Sequence, residues 1–241
     1  MTIDRGRCPP PPPHTFRAEL LTTPIRFNPE PCVRVFRDGR DPLQFKRSKY
    51  GHRFDPLPAP WASTNVLYGG TSLETAIAET LLRWQGELVP GERVILSEAD
   101  LRTRRVAHFV SRRELTVVDA TALGLARIEE VVTAVIDLPE HSPSWSRGPK
   151  PIADDIFQCG ADEYPQTQQW GAWFRSQHPS ADGIIWVSRQ FNAGRCIALF
   201  EDRCSGDLEL VTAPVDLYAA GSRERMTVDT MLGQLRWGVE R

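Results

Sequence analysis

The distribution of proline constrains this chain most, because proline fixes its own φ angle and lacks the N–H group that helices and central strands use. Twelve of the 20 prolines lie in the first 60 of the 241 residues, and five of them form the run Pro9–Pro13. Such a run favours an extended polyproline II conformation without a core of its own. We therefore predict a proline-rich, extended N-terminal arm over residues 1–30 and a single domain over residues 31–241.

Charge and hydropathy argue against two classes of protein. The 29 Lys and Arg residues nearly balance the 31 Asp and Glu residues, so there is no basic footprint for direct binding to nucleic acid. The longest apolar stretch, around Val131–Ile136, is far shorter than the roughly 20 residues that cross a bilayer. The N-terminal residues contain no apolar segment typical of a secretory signal. We expect a cytoplasmic protein that does not enter a membrane.

Metal sites and the common nucleotide-binding motifs are not evident in the sequence. The five cysteines and five histidines lack the spacing of zinc ligands, and no metal is predicted. We expect the cysteines to be mostly buried small hydrophobic residues, with one exposed in the N-terminal tail. The chain contains no GxGxxG, P-loop or GxSxG motif, which argues against the usual dinucleotide folds, P-loop nucleotidases and α/β-hydrolases.

The pattern of short apolar runs predicts an α+β fold. Helical periodicity marks three segments, namely Ser72–Trp84, about Ala126–Leu138 and about Gln166–Ser176. Strand-like runs bounded by Gly, Pro, Asp or Ser are Val33–Phe36, Asn65–Tyr68, Arg93–Ser97, Arg105–Val110, Gly183–Val187, Cys196–Phe200 and Leu208–Val211. Their order lacks a regular βαβ alternation, which favours short strands with flanking helices over a doubly wound parallel sheet.

The helix after Tyr68 is the best-specified element. Thr71 is the predicted N-cap, and Glu74 three residues later would complete a capping box. At 100° per residue, Glu79 lies about 60° from the buried position Ala76, at the edge of the apolar face. A carboxylate there would lie where the helix meets the sheet. The alternative from periodicity alone is a surface ion pair between Glu79 and Arg83.

Two arginines and a glycine pair precede that helix, and each has an ordinary explanation. Arg34 is in a strand-like run, so its side chain could point to either face of a sheet. Arg53 lies in a turn-rich segment that could hold a guanidinium rigidly. Gly69 and Gly70 would allow a ligand to approach the backbone closely, or would simply form the turn between strand and helix.

In order along the chain, these pieces resemble the RES domain family. The matching motifs are RVFR (Arg34–Arg37), PLQF (Pro42–Phe45), RFDP (Arg53–Pro56), LYGG (Leu67–Gly70), ETAIAE (Glu74–Glu79) and DGIIWVSR (Asp182–Arg189). The resemblance spans about residues 32–202. Arg37 competes with Arg34 as the first family arginine, Tyr-Gly-Gly replaces the commoner Tyr-Leu-Ala, and the proline-rich arm is outside the pattern.

The resemblance implies a toxin of a type II toxin–antitoxin system, with a short-stranded split sheet similar to the ADP-ribosyltransferase fold. Members of the family use NAD+ as substrate, either degrading it as a glycohydrolase or phosphorylase or transferring ADP-ribose to a protein. The family positions carry over to Arg34, Arg53, Tyr68, Glu79 and Ser188. A catalytically inactive binding or regulatory module is the remaining alternative.

The residue types at these positions suit the reaction that the resemblance implies. Glu79 would stabilise the positive charge that develops on the ribose. Arg34 and Arg53 would bind the pyrophosphate, because a guanidinium matches phosphate oxygens. Tyr68 would contact the nicotinamide or ribose, and Ser188 would hydrogen-bond the same part of NAD+.

The resemblance also implies a partner. A toxin of this kind needs a cognate antitoxin, which we expect to carry a helix-turn-helix DNA-binding domain. A homodimer of the toxin fits the family.

Overall fold

A mixed β-sheet forms the centre of the structure, a computed structural model that describes residues 8–13, 15–27, 30–45, 52–55, 64–82, 95–139, 150–158, 163–235 and 237–240. Within these residues, nine strands form one sheet and two more form a separate parallel pair. The strands are β1 (Thr22–Ile25), β2 (Cys32–Arg37), β3 (Val66–Gly70), β4 (Ile95–Ser97), β5 (Arg104–Ser111), β6 (Leu115–Ala120), β7 (Gly183–Val187), β8 (Arg195–Phe200), β9 (Leu208–Leu210), β10 (Val215–Asp216) and β11 (Gly238–Glu240).

The strand order places the motif-bearing strands side by side. Across the large sheet the order is β1–β6–β7–β8–β3–β2–β5–β10, and β9 also pairs with β5. β6 and β7 are parallel, whereas the other pairs in this sheet are antiparallel. The small sheet pairs β4 with β11. The four adjacent strands β7, β8, β3 and β2 therefore bring together segments that are up to about 160 residues apart in sequence.

Most of the helices cover one face of the large sheet, which we call the helical face. They are α1 (Leu73–Thr80), α2 (Glu98–Arg102), α3 (Ala122–Ile136), α4 (Ala153–Gln158), α5 (Tyr164–Gln177), α6 (Glu201–Cys204) and α7 (Arg223–Leu235). Strand residues such as Val33, Trp186 and Cys196 pack on that face against helices α1, α3, α4, α5 and α7. Cys32 and Ile197 point the other way, into a third apolar cluster on the opposite face.

The predicted mixed α+β architecture with flanking helices is confirmed. β7 has the predicted bounds, and most of the other predicted strands and helices differ at their ends by a few residues. Trp84, Arg93 and Val94 lie outside the described residues. Sequence patterns did not predict β1, β6, β10 and β11, nor the amphipathic helix α7, whose buried residues Val228, Met231 and Leu232 pack against α1.

The N-terminal arm is extended, but it packs on the domain and is not a spacer without a core. The buried indole of Trp170 donates from Nε1 to the Pro9 carbonyl at 2.9 Å. The Trp173 indole donates to the Phe16 carbonyl at 3.3 Å. Further along, β1 pairs with β6 and becomes an edge strand of the large sheet. Buried indole N–H groups need acceptors, and the carbonyl groups of the arm supply them.

The cysteine expectation needs one correction. Cys32, Cys196 and Cys204 are buried, as expected. The tail residue Cys8 is buried as well, where exposure was predicted, because the arm is held against α5. Cys159 lies outside the described residues.

The start of α1 differs from the prediction by one residue. Ser72 is the N-cap, and its Oγ accepts from the Thr75 N–H at 3.1 Å. Thr71 instead pairs with β8: its N–H donates to the Arg195 carbonyl, and its Oγ1 accepts from the Arg195 N–H. The predicted Thr71–Glu74 capping box is therefore wrong. Leu73, Ala76 and Ile77 form the buried face of the helix, as predicted.

No helix among the residues that the structure describes has the length and apolar character needed to cross a membrane.

Candidate functional site

A carboxylate and a hydroxyl meet where α1 approaches the end of β7. Glu79 is half-buried near the end of α1, at the edge of the face that packs on the sheet. The Ser188 hydroxyl donates to Glu79 Oε1 at 2.7 Å, and the Gln190 N–H lies 3.5 Å from the same oxygen. Ser188, 109 positions after Glu79 in the sequence, thus holds one oxygen of the Glu79 carboxylate. The alternative partner Arg83 lies outside the described residues.

The loop between β7 and β8 fixes Ser188 itself. Its side chain is fully buried, at 0% exposure. Its Oγ accepts from the Phe191 N–H at 3.0 Å, and its own N–H donates to the Gly194 carbonyl at 2.9 Å. Because the hydroxyl donates to Glu79 and Ser188 has no exposed surface, Ser188 orients the Glu79 carboxylate; its contact with NAD+ stays a prediction.

Gly194 allows this loop to approach α1 closely. A Cβ atom at residue 194 would lie 1.8 Å from Thr75 Oγ1, and Thr75 is completely buried in the first turn of α1. The approach is what brings Ser188 within reach of Glu79. A side chain at this position would push the loop and the helix apart.

We expect Gly194→Ala to destabilise the fold by about 1–2 kcal/mol through overpacking. The activity proposed below should also fall, because the shift separates Ser188 from Glu79. Thermal unfolding and steady-state kinetics measure the two effects. Gly206→Ala is the matched control, since a Cβ there meets no atom within 4 Å. A Gly194→Ala protein as stable and as active as the wild type would contradict this account of the loop.

Tyr68 lies on the helical face of β3, next to a tight turn at residues 52–55. Its hydroxyl accepts from the Phe54 N–H at 2.9 Å, and its ring contacts the His52 ring edge-on, with centroids 5.7 Å apart. Burial raises the pKa of the Tyr68 phenol well above its usual value, and the nearby Asp55 carboxylate raises it further. The phenol is therefore a neutral, fixed group at neutral pH.

Arg53 brings a positive charge to the same face. It is only 8% exposed, its Nη1 donates to the Ile156 carbonyl at 2.6 Å, and its guanidinium lies 5.8 Å from the centre of the Tyr164 ring. The Arg53 charge acts on both the Tyr68 hydroxyl and the Cys196 thiol. The turn thus places the guanidinium close to the groups that surround Glu79.

Cys196 is a member of the cluster that sequence reasoning missed. It lies on β8, opposite Gly70 of β3 and Trp186 of β7, and its side chain is on the helical face. Burial and the neighbouring Glu79 carboxylate raise the pKa of its thiol. A buried thiol of raised pKa is unreactive. Side chains alternate between faces along β8, so Cys196 shares the buried face of Ala198; this alternation is the sequence signal that could have identified it.

Arg34 is the predicted site residue that the structure does not bring to the cluster. Val33 opposes Gly70, so Arg34 points to the opposite face of the sheet. Its Nη1 donates to the carbonyls of Pro42 and Gln44, at 3.0 and 2.9 Å, and burial lowers its pKa to about 10. Arg34 holds the loop after β2, and a pyrophosphate contact is therefore not part of the function proposed below. Its competitor Arg37 is exposed and forms an ion pair with Asp100.

The two glycines after Tyr68 leave space for neighbouring atoms of the protein. A Cβ at residue 69 would lie 2.6 Å from Cys32 Sγ, and one at residue 70 would lie 2.9 Å from the backbone nitrogen of Ala76. The suggestion that Gly69 and Gly70 allow a ligand to approach the backbone is not supported. The small size of Gly70 instead lets α1 pack on β3, and that of Gly69 leaves room for Cys32 on the opposite face.

The described residues contain no metal-binding group, and the cavity among them lies away from this cluster. Among the described residues, no three His, Cys, Asp or Glu side chains converge to hold a metal ion. A cavity of about 300 Å³ lies between α2, α7 and β11, and Tyr218, Asp229 and Trp237 are among its lining residues. The cluster of Arg53, Tyr68, Glu79, Ser188 and Cys196, called the candidate site below, is therefore identified by its common position on the helical face of the sheet, beside the Glu79–Ser188 contact, and not by a cavity.

Comparisons with known proteins identify the family. One solved structure that the chain resembles is the MbcT–MbcA toxin–antitoxin complex of M. tuberculosis, with 17% sequence identity, a TM-score of 0.49, and coverage of 86% of this chain and 90% of that one. No curated protein matches the sequence. The family model described as RES domain matches residues 31–218, well over half of the chain. The chain belongs to the RES domain family.

Proposed function

We propose that this protein cleaves the nicotinamide–ribose bond of NAD+, as a glycohydrolase or phosphorylase. The observation that carries the proposal is the half-buried Glu79 carboxylate, which Ser188 Oγ holds at 2.7 Å on the helical face of the sheet. Membership of the RES domain family supports the same activity. NAD+ is the substrate here, and the proposed reaction uses no metal ion.

Glu79 has the chemistry that this bond cleavage needs. As the bond breaks, its electron pair leaves with nicotinamide, which becomes neutral, and positive charge develops on the ribose. A fixed carboxylate stabilises that charge and can orient or deprotonate an attacking water. Because Ser188 and the Gln190 N–H hold Glu79 before the substrate arrives, little reorganisation is needed during the reaction.

Arg53 and Tyr68 are the proposed substrate-binding residues. The positive charge of Arg53 lies beside the cluster and would attract the pyrophosphate. The half-buried ring of Tyr68 offers an aromatic surface for the nicotinamide or ribose. Its hydroxyl is already engaged by the Phe54 N–H, so the ring would make the contact.

Product analysis tests the proposal. The purified protein is incubated with NAD+, with and without phosphate, beside Glu79→Gln protein prepared in the same way. We expect nicotinamide together with ADP-ribose for hydrolysis, or with ADP-ribose 1″-phosphate for phosphorolysis. Labelled ADP-ribose that appears on protein only when lysate is added would replace the proposal by a transferase. Intact NAD+ in every sample would leave an inactive binding module.

We also propose an antitoxin partner, on the basis of family membership. An NAD+-degrading enzyme harms the cell that makes it, so the cognate partner would block the candidate site. Such an antitoxin would carry the helix-turn-helix domain and the DNA contact, and a toxin homodimer in the complex fits the family. Co-expression with the neighbouring gene product, followed by growth measurement and purification of the complex, tests this partner. Unchanged toxicity in its presence would argue against it.

A further inference from the structure

Asp55 is a buried carboxylate beside the candidate site that the proposed mechanism does not use. It is 1% exposed and ends the turn at residues 52–55. Its Oδ2 accepts from the His52 N–H at 2.8 Å, and its N–H donates to the His52 carbonyl at 3.1 Å. Gln168 of α5 donates to the same carbonyl at 3.2 Å. The turn that carries Arg53 is therefore closed by Asp55 and tied to α5.

Asp55 also faces the hydroxyl of Tyr68. That hydroxyl already accepts from the Phe54 N–H, so its own proton needs an acceptor. Asp55 Oδ1 is buried and has no hydrogen-bond partner among the described residues. The two groups are neighbours, because the Tyr68 hydroxyl lies 2.9 Å from the backbone nitrogen of Phe54, the residue immediately before Asp55 in the turn. A buried carboxylate oxygen without a donor is costly, and the phenol is the neighbouring group with a proton to give.

We infer that Asp55 is a positioning residue that holds Arg53 and Tyr68 in the geometry that binds NAD+. The carboxylate fixes the turn through the His52 N–H and orients the Tyr68 ring through its hydroxyl. The inference rests on the function proposed above. The two positioning residues then have different roles. Ser188 orients Glu79 for the chemical step, whereas Asp55 orients the residues that bind the substrate.

The test is Asp55→Asn, which keeps the shape of the side chain. Asparagine can still accept from the His52 N–H, but its NH₂ group would face the Tyr68 hydroxyl as a donor. We expect the KM for NAD+ to rise about tenfold, the value of a hydrogen bond to a charged group, while kcat stays within about threefold. A merely structural defect would instead lower the active fraction and leave KM unchanged.

Asp182→Asn is the matched control. Asp182 is also buried, at 4% exposure, but it lies outside the candidate site and binds Arg113 and the Thr116 N–H. Its variant should lose stability and retain the wild-type KM. A wild-type KM for Asp55→Asn, or the same kinetic change in both variants, would overturn the inference.

A double-mutant cycle tests the inference even if the kinetic constants of the variants cannot be measured. The free energy of unfolding is measured for wild type, Asp55→Asn, Tyr68→Phe and the double variant. We expect non-additive effects, since both changes remove the same hydrogen bond; additive effects would overturn the inference. If Asp55→Asn does not fold, an unchanged KM for NAD+ in Tyr68→Phe would overturn the inference. If the wild type does not cleave NAD+, the proposed function fails, and the cycle still decides whether Asp55 holds Tyr68.

Discussion

Replacement of Glu79 by Gln is expected to lower NAD+ turnover by about 10²–10⁴, the range for loss of a positioned acid–base or electrostatic group. Glutamine has nearly the same shape, and its amide oxygen can still accept from Ser188 Oγ, which donates to Glu79 at 2.7 Å. The substitution therefore removes the negative charge and keeps the contact. NAD+ should bind with nearly unchanged affinity, because the charge acts on the ribose only as the bond breaks. Single-turnover kinetics and calorimetry measure the two quantities.

Glu74→Gln is the matched control for this prediction. Glu74 lies in the first turn of the same helix, is partly exposed and does not cap it, since Ser72 provides the cap. Its variant should keep its activity and lose at most a few tenths of a kcal/mol of helix-dipole stabilisation. Full activity in Glu79→Gln, or equal losses in both variants, would remove Glu79 from the chemistry.

Sequence reasoning located Tyr68 and Glu79 because both lie on regular elements, whereas Arg53 in a turn and Ser188 in a loop were assigned from the family motifs. Helical spacing placed Glu79 at the edge of a buried face, and the structure confirms that position. The run before Ser188 has the predicted bounds of β7. No local pattern, however, shows that α1 and the β7–β8 loop meet. That contact depends on strand order and on the close approach at Gly194, which are properties of the whole sheet.

There is a physical reason why the sequence alone did not predict the face of the sheet on which Arg34 lies. Successive side chains of a strand alternate between faces, so a shift of one residue in register reverses the face on which each side chain lies. The pairing of Val33 with Gly70 fixes that register and sends Arg34 away from Tyr68 and Cys196. The N-cap differed by one residue for a related reason. Both Thr71 and Ser72 can cap a helix, but long-range pairing with Arg195 occupies Thr71.

The arm and α7 show the limits of sequence patterns at the two ends of the chain. Proline content correctly indicated an extended arm, but the acceptors that the buried Trp170 and Trp173 need are visible only in three dimensions. The family match covers residues 31–218, so α7 also lies outside it. It nevertheless packs against the buried face of α1 and thereby supports the helix that carries Glu79.

Arg53 and Arg34 are expected to differ sharply when each is replaced by Ala. Arg53→Ala should weaken NAD+ binding roughly tenfold to a hundredfold, the worth of a charge-assisted contact with phosphate, and Arg53→Lys should restore only part of it. Arg34→Ala should leave affinity unchanged and lower stability, because its guanidinium binds the Pro42 and Gln44 carbonyls on the opposite face. Calorimetry with NAD+ and thermal unfolding separate the two effects. Equal losses of NAD+ affinity in both variants would show that Arg34 also contacts the pyrophosphate. Unchanged affinity in Arg53→Ala would show that Arg53 does not bind it.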